Sequence, residues 1–295
     1  MKLVPNFCRS FQEEAARVWA DMSDAARFDI ARGEETTTEH LLLRLARKHH
    51  GRGLTIKTFT KDVERDNGAD WGFWFGDGHN RGLPVRVQAK RLYRKSGRYD
   101  QLYHPYNGPS KSGQTWANQC EAMLGWRDGA VPLYVFYNDD GLGARRFWSA
   151  HKRLYWRMWC GFPFSSPEWG ISAASALAIK SADWGKDNRP GDFPMIPWHC
   201  LVCPCCWDDH PTDTSLPSLI GHGLQQLYNY SMGDAEEDLA APTGLGFSFE
   251  PTDNIPSWVG LLREGGESES LLHEEMARLN LRGIAILEET ETRDE

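Results

Sequence analysis

Metal-assisted hydrolysis of a phosphodiester needs a carboxylate to hold a divalent cation and a lysine near the attacking water. This sequence offers Asp70, then Gln88 and Lys90. Gln88 and Lys90 stand two apart in PVRVQAKRLY (84–93), so on a strand both side chains leave the same face. Asp70 opens GADWGFWF (68–75), and the Gly/Asn/Asp-rich GDGHNRG (76–82) between the two segments reads as a turn. Pairing the strands across that turn sets Asp70 roughly level with Gln88 to Lys90. A one-residue slip would send it to the other face.

A second group able to do chemistry is His199, Cys200, Cys203, Cys205, Cys206 and His210. Cys200 and Cys203 have zinc-knuckle spacing, and Cys206 with His210 would complete a tetrahedral set for structural Zn²⁺. The second pair of a zinc ribbon sits a dozen or more residues away, however, and a buried strand end with reduced cysteines suits the same residues. Seven cysteines, odd in number and clustered, favour thiols or metal over a disulfide framework.

The net charge of −8 argues against a nucleic-acid binder only until it is divided. Residues 263–295 carry ten acidic and four basic residues, a net of −6, which leaves −2 for the rest. Between positions 86 and 98 lie Arg86, Lys90, Arg91, Arg94, Lys95 and Arg98 with no acidic residue, a local footprint for phosphates. The segment 145–159 mixes basic and aromatic residues that could stack on bases, although its rings equally suit a core.

The elements that must position these residues follow from periodicity. Helices are predicted over 9–30, from the Thr36–Thr38 run to His50, over 115–129, 145–159, 171–184, 216–231 and 271–281. Strands are predicted over 54–62, 68–75, 84–93, 131–138 and 283–289, with a short one starting near 193 and a Gly/Pro-rich loop over 234–253. Residues 36–138 thus read helix–strand–strand–strand–helix–strand, an α/β order with the second and third strands joined as a hairpin.

This order, with ERDNGADWGFWF (64–75) and VRVQAKRLY (85–93), resembles the PD-(D/E)xK nuclease superfamily, in particular its Mrr-like branch, where Gln replaces the second acidic residue. The resemblance covers about residues 35–140, roughly a third of the chain. It implies an α/β, restriction-endonuclease-like mixed central sheet flanked by helices, with an elaborated C-terminal half. It also implies a further metal-binding Glu in the helix before the first strand. Glu39 is the choice, with Glu35 and Glu64 as alternatives.

The chain is accordingly divided into an N-terminal helical segment (1–34), a nuclease-like core (35–160), an elaboration carrying the Cys/His cluster (161–262) and an acidic C-terminal segment (263–295). The expected function is a Mg²⁺- or Mn²⁺-dependent endonuclease acting on DNA, RNA not being excluded, in restriction or phage defence. Asp70 and Glu39 hold the metal, Gln88 and Lys90 complete the catalytic set, and Arg86, Arg91, Arg94, Lys95 and Arg98 contact phosphates. A homodimer is open. Two rivals stand beside it: a non-catalytic nucleic-acid-binding module and a zinc-stabilised interaction protein. No apolar stretch approaches the roughly 20 residues of a membrane span, and the charged N-terminus lacks a secretory apolar region, so a cytoplasmic protein is expected. Without G-x-S-x-G or a phosphate-binding glycine loop, a serine hydrolase and an ATP-driven motor are not expected.

Overall fold

In a computed structural model the described residues are 7–58, 71–103, 105, 116–126, 128–139, 141, 166–182, 188–207, 213–232, 246–265, 268–279 and 281–289. They form a mixed seven-stranded sheet with helices on both faces, an α/β fold. The strands are β1 (Leu54–Thr58), β2 (Trp71–Gly76), β3 (Gly82–Arg91), β4 (Val131–Tyr137), β5 (Ile171–Ser175), β6 (Ile196–Pro197) and β7 (Gly283–Glu288), in the spatial order β1-β7-β2-β3-β4-β5-β6. The helices are α1 (Phe7–Arg27), α2 (Glu34–His49), α3 (Gln119–Gly125), α4 (Ala176–Ser181), α5 (Leu216–Met232), α6 (Ser257–Glu264) and α7 (Glu269–Leu279). Among the described residues, no helix is long and apolar enough to cross a membrane.

β2 and β3 pair antiparallel, as the turn chemistry between them predicts, with Trp71 opposite Val87 and Gly76 opposite Gly82. Asp77 builds the connection: its Oδ1 accepts from the backbone of His79 at 2.8 Å and of Arg81 at 3.3 Å. Gly78 has φ +80°, and a Cβ there would stand 2.3 Å from the Glu289 carbonyl oxygen, so the turn admits no side chain at this position.

β3 is central and runs parallel to β4, with Gln88 opposite Tyr134 and Lys90 opposite Phe136. Its alternation sorts two cores. Val85, Val87 and Ala89 pack with α1, α2 and α5 through Phe11, Leu41, Leu45 and Leu224. On the other face lies a second apolar cluster with Met123, Tyr134, Phe136, Trp258, Met276 and Ile284, drawn from α3, β4, α6, α7 and β7. Arg86, Gln88 and Lys90 share the face opposite the valines.

α2 begins at Glu34, two residues before the threonine run. Thr37 and Thr38 lie inside its first turns and donate back to the carbonyls of Gly33 and Glu34, each at 2.9 Å. Thr38 also meets the Tyr137 hydroxyl at 2.7 Å, which fixes the helix on β4. α1 is tied to α2 by buried Glu14, which accepts from Arg44 at 2.5 Å and from Arg17 at 3.2 Å.

One expectation is corrected. Residues 171–184 were expected to be one helix; instead Ile171–Ser175 is a strand and only Ala176–Ser181 is helical. Helix propensity of the alanines yields to pairing, because Ile171 to Ser175 close an antiparallel ladder on Tyr137 to Leu133. Ser175 then caps the helix, its Oγ accepting from Leu177 N at 3.2 Å. The strand expected over 283–289 forms as β7 inside the sheet, parallel to β2 and antiparallel to β1, with Gly283 to Leu287 buried. The helix expected over 145–159 lies outside the described residues, and α6 was not foreseen within its Gly/Pro-rich surroundings.

Candidate active site

Gln88 and Lys90 occupy the C-terminal half of β3 and are each 3% exposed. The Lys90 ammonium donates to Gln119 Oε1 at 2.9 Å, and Gln88 Nε2 donates to the Ala89 carbonyl at 3.3 Å. Gln119 is the first residue of α3, whose start is set by Asn118: its side chain accepts from Glu121 N at 3.0 Å, while Glu121 reaches back to Ala117 N at 3.0 Å. The sheet thus supplies the lysine, and a capped helix N-terminus supplies its amide partner.

Asp70 and Glu64 lie outside the described residues. The chain neighbour of Asp70, Trp71, pairs with Val87, the residue before Gln88. Of the α2 carboxylates, Glu39 is not brought to β3. It is exposed, on the side of the helix that carries 48%-exposed Leu43, because the face bearing Thr38, Leu41, Leu42 and Leu45 packs on the sheet. Glu35 pairs with Arg282 at 2.6 Å. Glu34 is the one that reaches the strand, its Oε1 accepting from the backbone N–H of Arg91 at 3.1 Å. Glu34 and Glu39, five apart on the helix, point about 140° away from each other.

The basic run divides. Arg86 is not a surface contact: it is 3% exposed, ion-paired with Asp128, donates to the Leu279 carbonyl at 3.1 Å, and lies 4.4 Å over the Trp126 ring. It also lines a cavity of about 400 Å³ bounded by Trp126, Asp128, Trp258, Glu275 and Arg278. The Arg91 guanidinium donates to the Arg32 carbonyl at 2.6 Å and stacks on Tyr93 at 4.3 Å. Arg94 and Lys95 are exposed and Arg98 is half-buried, in the turn closed by Tyr93 N donating to Arg98 O at 2.8 Å. Lys95 approaches Asp29 at 3.7 Å with both side chains over 90% exposed, a geometry worth little.

The oxygen donors of Glu34 and Gln88 are of the class that Mg²⁺ takes, and a lysine two residues from Gln88 suits a site that handles anionic oxygens. The cysteine-rich turn has a different character. Cys8 of α1 joins it by hydrogen-bonding Cys203, a partner that nothing in the spacing announced. That bond, with backbone amides of Cys205 and Cys206, lowers Cys203 to about 7, whereas Cys8 is pushed up by the same bond and by burial. Burial also raises Cys200 and lowers His199 to about 4. Of the zinc set Cys200, Cys203, Cys206 and His210, Cys206 is disulfide-bonded, Cys203 is engaged with Cys8, and His210 lies outside the described residues. A ring nitrogen of His199 is grouped with the Cys200 and Cys206 sulfurs.

A family model matches residues 7–293, that of a family of unknown function, DUF6615. No curated protein and no solved structure matches the chain.

Proposed function

Because the chain belongs to DUF6615, a family of unknown function, its activity must be argued from its own residues, and we propose that it is a metal-dependent endonuclease hydrolysing phosphodiester bonds in DNA. The observation that carries this reading is an amide and an ammonium buried on one face of a central strand. Taking a lysine out of water costs several kcal/mol unless partners or ligands compensate. Here Lys90 sits toward the C-terminal end of a strand in a mixed α/β sheet, the end where parallel strands of such sheets place ligands.

In this reading Lys90 orients the attacking water and stabilises the charge that grows on the phosphate. Gln119 fixes the direction of the ammonium, and Gln88 positions the scissile phosphate or the cation. Asp70 and Glu34, which replaces Glu39, would hold Mg²⁺ or Mn²⁺. That ion supplies a nucleophilic water at neutral pH and neutralises developing charge. Arg94 and Lys95 bind the flanking phosphates. The resemblance to Mrr-like nucleases supports a role in restriction or phage defence, in the cytoplasm.

The test is cleavage of supercoiled plasmid by the purified protein with Mg²⁺ or Mn²⁺, beside EDTA controls and the Asp70→Ala and Lys90→Ala variants. Metal-dependent nicking that both folded variants lose supports the site, and direct linearisation adds that two sites act together. Absence of cleavage, or cleavage the variants share, sinks it. The neutral amide of Gln88, a weaker cation ligand than a carboxylate, favours one second reading, a non-catalytic nucleic-acid-binding module. That module binds DNA in a salt-sensitive way without cutting it.

A further inference from the structure

The turn that follows β6 brings together ligand chemistry unlike that of β3. A ring nitrogen of His199 and the sulfurs of Cys200 and Cys206 all lie within 4.8 Å of one another, and all three residues are buried. The single-turn helix Trp198–Leu201 carries the first two, and the chain folds back through Val202 N donating to His199 O at 3.1 Å and Cys206 N donating to Cys203 O at 3.4 Å. Trp207 Nε1 donates to the Cys200 carbonyl at 3.2 Å and closes the turn. Trp198, Leu201, Trp207 and Leu224 belong to the same apolar cluster as Cys200 and Cys206.

One imidazole and two sulfurs suit a borderline-soft cation such as Zn²⁺ and not the hard Mg²⁺ of an oxygen site. Ligands about 2.0–2.3 Å from a tetrahedral ion stand somewhat under 4 Å apart, so a small contraction of this turn would seat one. Cys206 is disulfide-bonded here, and a disulfide sulfur is not a thiolate ligand. Reduction by a dithiol or phosphine adds two electrons and two protons to that disulfide and yields two thiols. Each ligand thiol then releases its proton to solvent as the metal binds.

We propose that the reduced protein binds one zinc-type cation through His199, Cys200 and Cys206, and that the disulfide at Cys206 closes this site when the protein is oxidised. The site is separate from Lys90 and does not rest on the nuclease reading. Cys8 and Cys203, which hold one another across the junction of α1 and the turn, stay outside the ligand set.

The experiment is titration of the full chain with Co²⁺, once after phosphine reduction under argon and once in its oxidised form. The reduced protein is expected to take up one Co²⁺ per chain, with the visible bands of a tetrahedral ion and a thiolate charge-transfer band that Zn²⁺ bleaches. The oxidised protein gives neither. His199→Ala removes the bands and His210→Ala keeps them. Since His199→Ala could fail to fold, alkylation of the unaltered reduced protein is followed by mass spectrometry: Zn²⁺ must protect Cys200 and Cys206 while Cys205 still reacts. Absence of the bands in the reduced chain, equal uptake by the oxidised chain, or unprotected Cys200 and Cys206 overturns the proposal.

Discussion

Lys90 of β3 gives a hydrogen bond from its ammonium to the Oε1 of Gln119, the first residue of α3, across 2.9 Å. The contact joins a central strand to a helix start, so the direction of the ammonium depends on where α3 begins. Asn118 and Glu121, which cap that helix, therefore act on Lys90 at one remove.

Lys90→Ala is expected to lower plasmid cleavage by about 10²–10³-fold, the scale of losing one preorganised charge-stabilising donor. Gln119→Ala leaves the ammonium present without its amide acceptor, for a loss of up to about a hundredfold, felt in kcat more than in KM. Steady-state cleavage kinetics separate the two. Equal losses in both parameters for Gln119→Ala would argue against a positioning role.

Glu34 and Glu39 should behave differently although they lie five residues apart on one helix. Glu34→Ala removes the acceptor for Arg91 N and a carboxylate from a helix N-terminus, which costs about 1–2 kcal/mol and lowers cleavage. Glu39→Ala, on the exposed side, changes neither beyond about 0.5 kcal/mol. Urea midpoints and cleavage rates of the two variants decide it, and a stronger effect at Glu39 would reverse the assignment.

The basic residues divide into structural and binding sets. Asp128→Ala strands the buried Arg86 guanidinium and is expected to cost about 3 kcal/mol of stability. Lys95→Ala leaves stability unchanged and reduces the salt slope of DNA binding by about one. Fluorescence anisotropy over a salt series, run beside thermal melts, checks both.

Glu168 predicts a pH dependence. Burial raises its carboxyl from 4.5 to about 7, so the folded protein favours the protonated form. Its contribution is whole below about pH 4.5, where folded and unfolded chains both hold the proton, and is lost as pH rises through about 7. Glu168→Gln should flatten this fall, so that the variant is the more stable protein at about pH 8 and matches the parent at about pH 4. Parallel urea midpoints across that range would contradict it.

The hairpin of β2 and β3 was legible because alternating valines and a turn rich in Gly, Asn and Asp specify both pairing and register. Gln88 and Lys90 followed from it as same-face neighbours. Glu34 was within reach too, since a helix phased on Leu41, Leu42 and Leu45 turns Glu39 outward, but that phase shows only once the packed face is known. β5 was hidden by alanines that favour helices alone and ladders when Tyr137 to Leu133 lie alongside. Cys8 could not be found from spacing, because its approach to Cys203 is made by tertiary packing between residues far apart in the chain.

β7 fills the place between β1 and β2, more than two hundred residues after β2 leaves the ribosome. At about 5–20 residues per second, the strand adjoining Asp70 waits on the order of 10–40 s for one of its two partners. Helices and the β2–β3 hairpin can form locally in that interval, but the long-range ladder cannot. The sheet that carries Lys90 therefore becomes complete only once β7 has been made, and a chain cut short before β7 lacks the framework a hydrolytic centre would need.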